Sequence, residues 1–188
     1  MFARYVVLNL KKQVTPALLP PWDDAGWDRM VRRDIDIRYV LSAGVVTWGE
    51  PGQPDVVCSG EGLFQRAVSS SRRTARKSRG DEDAAMLREL LSQPIPYIVL
   101  NLQGLGERPI LVPAYDDVET TIARFQGPTE RDVVSAGDVE FDLTGTGDPV
   151  CYGSAQLGDW MRPVQVNSRG REDAELIAAF YQESLLHC

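Results

Sequence analysis

Apolar side chains alternate from residue 4 to 11, with Val6, Leu8 and Leu10 on one face and Tyr5, Val7 and Asn9 on the other. A period of two predicts a β-strand with one apolar face. A proline-punctuated stretch follows, then a helical pattern over 23–33. There Asp23 stands at the N-cap, and Trp22 and Trp27 occupy the N′ and N4 positions of a hydrophobic staple. Residues 35–41 and 44–49 read as a hairpin turning at Ser42-Ala43-Gly44, with Gly44 supplying a positive φ. A short strand reaches Cys58, and a helix over 81–92 carries Leu87, Leu90 and Leu91 as an apolar stripe.

The same succession then starts again. Tyr5-Val-Val-Leu-Asn-Leu10 recurs as Tyr97-Ile-Val-Leu-Asn-Leu102, and after a one-residue insertion the spacing settles at 93. Pro16, Leu18, Pro20, Asp23 and Asp24 correspond to Pro109, Leu111, Pro113, Asp116 and Asp117; Ser42-Ala43-Gly44 corresponds to Ser135-Ala136-Gly137. Cys58 meets Cys151, and Ser78-Arg79-Gly80 with Glu82-Asp83-Ala84 returns as Ser168-Arg169-Gly170 with Glu172-Asp173-Ala174. Tyr115, Asp116 and Glu119 repeat the helix-entry pattern, and a closing helix falls over 171–186. The expected fold is α+β: an internal duplication of a roughly 93-residue unit, with mixed or antiparallel sheets and two helices per copy. Residues 1–93 and 94–188 would form the two repeats, joined at Pro94-Ile95-Pro96 and packed as a pseudo-two-fold pair.

The composition, 43% hydrophobic and 25% charged, is that of a globular chain. No apolar run reaches the length of a membrane span, and the N-terminus lacks a signal-peptide pattern, so a soluble, cytoplasmic protein without membrane contact is expected. Three cysteines make no disulfide framework. The net charge of −7 disfavours non-specific nucleic-acid binding by the molecule as a whole.

Candidate chemistry is sparse. The single histidine, His187, precedes the last residue and is a poor general base, and with Cys188 it falls short of a zinc ligand set. Cys58 and Cys151 read as buried apolar residues. Asp23-Asp24 and Asp116-Asp117 read as helix caps, Asp34-Ile35-Asp36 has no calcium-loop glycine, and Gly145 and Gly147 lack the lysine of a phosphate loop. Ser-Arg-Gly before Glu-Asp reads as a helix entry, since the acidic first turn repels phosphate. No catalytic residue, metal site or cofactor is assigned. Asn9 and Asn101, polar within aliphatic strands, together with Tyr5 and Tyr97, are the candidates for a pocket at the seam between repeats.

The repeat breaks at 66–79. Arg66, Arg72, Arg73, Arg76, Lys77 and Arg79 lie there with no acidic residue, whereas the counterpart around 157–167 has Arg162 and Asp159. These six cations are the candidate partner- or anion-binding site. The leading expectation is a non-catalytic partner-binding or assembly protein whose partner is a protein with an acidic surface. The alternatives are a small-ligand binder or enzyme with its pocket at the seam, and a nucleic-acid-associated protein using the basic segment.

Overall fold

The computed structural model describes residues 2–10, 12–19, 37–48, 56–65, 73–104, 106–112, 129–142, 148–158 and 161–182. In order, the strands are β1 (Phe2–Leu10), β2 (Gln13–Leu19), β3 (Val40–Thr47), β4 (Val57–Ser59), β5 (Glu61–Gln65) and β6 (Arg73–Lys77), followed by helix α1 (Asp81–Leu91). Then come β7 (Ile95–Leu102), β8 (Gly106–Leu111), β9 (Val133–Glu140), β10 (Val150–Tyr152), β11 (Ser154–Leu157), β12 (Val164–Asn167) and helix α2 (Arg171–Gln182). The fold is α+β with antiparallel pairing throughout the described strands.

Two similar four-stranded sheets organise these elements, in the orders β2-β1-β3-β4 and β8-β7-β9-β10, each accompanied by a two-stranded hairpin, β5-β6 or β11-β12. Their registers agree in detail. Tyr5 faces Gly44 as Tyr97 faces Gly137, and the β1–β3 ladder slips between Val7 and Leu8 where β7–β9 slips between Val99 and Leu100. This likeness of sheets is what a duplication would leave. The helix expected at 23–33, its staple, the Asp116–Glu119 capping box, and the Asp34-Ile35-Asp36, Gly145/Gly147 and His187/Cys188 positions lie outside the described residues.

Several local expectations are corrected. The stretch around Pro16 is strand β2, and Pro109 sits likewise in β8; both strands are sheet edges, where a missing N–H removes no ladder bond on the open side. Ser42-Ala43-Gly44 is no turn but the middle of β3. Gly44 serves close approach: a Cβ there would fall 2.3 Å from the Ser59 carbonyl oxygen, and at Gly137 2.3 Å from that of Tyr152. Nor does β1 have only one apolar face. Val6 and Leu8 pack with Ala17, Leu19, Val40, Ala43 and Phe64 beneath the β5–β6 hairpin, while Tyr5 and Val7 face the other way into a second cluster. The second sheet is covered the same way by Leu157 of the other hairpin.

The inner cluster joins the halves. Tyr5, Val7, Leu87 and Leu91 belong to the same apolar body as Tyr97, Val99, Ile177 and Tyr181. Trp48 and Phe141, 93 positions apart, meet edge to face across it with ring centroids 5.4 Å apart. Burying both sheet faces explains why strand β1 carries apolar residues at seven of its nine positions.

Candidate functional site

The polar groups most deeply placed in each half converge on one carboxylate. Asp83 is the third residue of α1 and would normally face water in a first turn. Instead it is fully buried, on the same stripe as Leu87 four residues on. Gly80 precedes the helix at φ +62, a left-handed conformation that turns the chain so that Asp83 points back under it. Asp83 Oδ2 accepts from the Tyr5 hydroxyl at 2.7 Å and the Arg79 backbone N–H at 2.9 Å. Oδ1 accepts from the Ser42 hydroxyl at 2.7 Å and Arg79 Nε at 2.9 Å. Ser78 Oγ stands 2.6 Å from the Tyr5 hydroxyl and accepts the Gly80 N–H at 3.0 Å. Because the phenol has one proton and the carboxylate only accepts, the Ser78 hydroxyl supplies the proton of their shared bond.

The second half builds the same cage. Asp173, also fully buried, accepts from Tyr97 at 2.6 Å, Ser135 at 2.7 Å, and the Arg169 N–H and Nε at 2.9 and 2.8 Å. Ser168 lies 2.5 Å from Tyr97 and accepts from Gly170 N–H, and Gly170 repeats the φ of +62. Gly44 and Gly137 admit Ser78 and Ser168: a Cβ would lie 3.3 and 3.1 Å from their Cβ atoms. Outside the cage each arginine pairs with the glutamate three residues on, Arg79 with Glu82 at 3.2 Å and Arg169 with Glu172 at 3.8 Å, and Arg169 also bonds Glu107 at 2.8 Å.

The electrostatics describe a closed, saturated unit. Burial drives the Tyr5 and Tyr97 phenols far above their ordinary pKa, and the neighbouring carboxylates push the same way. For Asp173, burial acts to raise the pKa, but the bonds from Tyr97, Arg169 and Ser135 outweigh it and hold the carboxyl below its usual range. Burial pushes the Cys58 and Cys151 thiols up to about 12, against the lowering effect of Tyr5 and Tyr97. They are protonated at neutral pH and thus poor nucleophiles.

The positions singled out in the sequence separate into different settings. Tyr5 and Tyr97 are fully buried with their hydroxyls in the cages, so neither lines an open cleft. Asn9 accepts the Lys12 N–H at 2.6 Å across the β1–β2 turn, where Lys12 takes φ +75; Asn101 is exposed. Of the six cations, Arg66 and Arg72 lie outside the described residues, and Arg73 and Lys77 fall on β6. Arg76 donates to the Val40 and Ile37 carbonyls at 3.0 and 3.4 Å, and Arg79 belongs to the Asp83 cage. Lys77 is exposed.

By sequence, Ser42 falls in a turn pattern and Ser78 and Asp83 in an acidic helix entry, as do their counterparts Ser135, Ser168 and Asp173, and none of them is read as part of a shared buried site. The signal was present: a Tyr, a Ser-x-Gly and a Ser-Arg-Gly-x-x-Asp retained in order by both copies, with an aspartate on an apolar helix stripe. Among the described residues no group of three or more His, Cys, Asp or Glu side chains is arranged to hold a metal ion, and no helix is long and apolar enough to cross a membrane. No protein family, curated protein or solved structure matches the chain.

Proposed function

We propose that this chain is a non-catalytic binding scaffold, made by duplication of one α+β unit whose copies pack about an approximate two-fold axis. It presents the basic segment 66–79 to an acidic surface of a partner protein. The observation that carries the non-catalytic reading is the saturation of both cages. The residues with the best internal partners for acid–base chemistry are buried, bonded to one another and identical in the two halves, which is what a structural device needs and a substrate site does not. The duplication is supported by the matched registers, and the two-fold by equivalent groups touching each other: Trp48 on Phe141, and edge strand β2 beside β8. An equivalent position in contact with its own counterpart is the mark of an isologous interface.

The binding reading rests on where the halves differ. At the places of Thr74, Ala75, Arg76 and Lys77 the second half has Val164, Gln165, Val166 and Asn167. Unshared cations on a chain of net charge −7 favour an acidic protein surface over a nucleic acid, which the rest of the molecule would repel. The test is retention of proteins from native-cell extract on the immobilised full chain at low salt, with salt elution and identification. A variant with Arg72, Arg73 and Lys77 changed to Gln spares Arg76 and Arg79, which have structural bonds. Loss of a salt-eluted acidic protein in that variant supports the reading; equal retention overturns it.

A further inference from the structure

The two halves diverge in opposite senses on their outer surfaces. On the outer face of the β5–β6 hairpin, away from the buried Phe64, Leu63 lies opposite Ala75 and Glu61 opposite Lys77, and the register sets Arg73 two places from Ala75. Leu63 is 47% exposed. The second hairpin has only amides and hydroxyls there, with Gln156 opposite Gln165 and Ser154 opposite Asn167. The second sheet makes the converse change. Beyond Ala136, which packs with Leu157 of the β11–β12 hairpin, the outer face of β9 and β10 sets Asp138 opposite Tyr152 and Glu140 opposite Val150. Val150 is 58% exposed and Tyr152 40%, and the Tyr152 hydroxyl donates to Glu140 at 2.5 Å. At the places of Asp138, Glu140 and Tyr152 the first sheet has the uncharged Val45, Thr47 and Ser59.

We propose that these two surfaces are each other's partners: the basic hairpin of one copy docks on the acidic sheet face of a second copy of this chain. The inference rests on the partner-binding reading and names the acidic surface which that reading requires. Each surface has an exposed aliphatic centre, Leu63 with Ala75 on one and Val150 on the other, beside charges of opposite sign, and such complementarity favours docking in one register. Among the described residues no salt bridge within the chain engages Lys77, Asp138 or Glu140, so these charges are free to pair between copies. Glu61 sets the direction of docking. It would repel Asp138 and Glu140, so β6, with Lys77, lies over the carboxylates and Glu61 of β5 stays at the rim. Copies of net charge −7 repel one another, but at physiological ionic strength repulsion is screened beyond about 8 Å while facing charges stay in contact. Because the two surfaces differ, the contact is heterologous, and its repetition closes a ring or extends a chain of copies.

Analytical ultracentrifugation of the full chain over a range of concentrations at physiological salt tests this, and the average mass should rise above that of the monomer as concentration rises. One variant carries Arg73→Glu with Lys77→Glu, and another Asp138→Lys with Glu140→Lys. Each alone should self-associate about tenfold or more weakly, because like charges then face each other. Mixing the two should restore association, since every reversed surface meets its complement. Far-UV circular dichroism checks that both variants fold. If one does not, Arg73→Gln with Lys77→Gln, or Asp138→Asn with Glu140→Gln, replaces it and should likewise weaken association. A chain that stays monomeric at every concentration overturns the inference, as does association that the variants leave unchanged or that mixing the reversed pair fails to restore. A monomeric chain that still retains a salt-eluted acidic protein from extract overturns this inference and leaves the basic-segment reading standing; absence of both overturns both.

Discussion

Replacing Tyr5 by Phe removes one oxygen from a cage and leaves the buried ring in place. Asp83 then accepts three bonds in place of four, and Ser78 loses its acceptor. A hydrogen bond to a buried charged group contributes about 1.5–3 kcal/mol. For a chain of this length each kcal/mol lowers Tm by roughly 2–4 °C, so a loss near 2 kcal/mol lowers it by roughly 4–8 °C. The likeness of the two halves supplies an internal control. Tyr97→Phe makes the same cut in an equivalent cage and should cost about the same. The cages share no partner, so the double variant should sum the two costs to within about 0.5 kcal/mol. Urea unfolding followed by circular dichroism at pH 7 measures all three. A Tyr5→Phe cost below about 0.5 kcal/mol would refute the claim that the cage stabilises the fold, since bonds worth that little resemble exposed ones.

Acid should attack the same device. The Asp173 carboxyl is depressed in the folded state, so its contribution is complete above the unfolded carboxylate value near 4 and is lost as pH falls through the lower folded value. Asp173→Asn should therefore be less stable at pH 7, by about 3–5 kcal/mol for breaking a buried pair, and show a flatter stability profile below pH 4. A profile as steep as wild type would place the acid sensitivity elsewhere. Gly44→Ala and Gly137→Ala force a methyl against a backbone carbonyl and should each cost about 1–3 kcal/mol in chemical denaturation; neutral variants would mean the strands can separate freely. In a Cys188→Ser protein, a thiol reagent should label Cys58 and Cys151 only after denaturant is added, and rapid native labelling would contradict their burial.

The sequence disclosed strand β1, the short strand at Cys58 and both closing helices, because each rests on a local pattern, and its self-similarity pointed to the likeness of the two sheets. It misled where one local pattern permits two structures. Ser42-Ala43-Gly44 has turn composition, yet β3 runs straight through it, since what that glycine satisfies is a carbonyl of another strand. The stretch around Pro16 gave no strand pattern, and whether a strand tolerates proline depends on its place in the sheet, which no local window contains. The basic segment was legible as a charge anomaly but not as a hairpin strand. Asp83 reads by sequence as part of an acidic helix entry, because its three side-chain donors, Tyr5, Ser42 and Arg79, arrive from separate elements.

The hairpins show how one scaffold tolerates such divergence. Arg76 and Val166 hold equivalent places, opposite Gly62 in β6 and opposite Ala155 in β12. Val166 packs against the apolar cluster of its sheet. Arg76 reaches past that surface and ties β6 to the Ile37 and Val40 carbonyls at the start of β3. Each hairpin is anchored from its inner face by an apolar side chain, Phe64 or Leu157, to which Val166 adds apolar contact in one half and Arg76 adds hydrogen bonds in the other, and the outer positions are released from that duty. Lys77 and Asn167 occupy such released positions, both exposed, and there the chemistry of the halves separates. Within the cages the opposite holds: removing any one of the tyrosine, the two serines, the arginine or the aspartate leaves hydrogen-bonding partners unsatisfied at a buried position, and both halves carry all five. The same physics that fixes the interior therefore leaves the outer positions free to carry function, among them the cations of the first half.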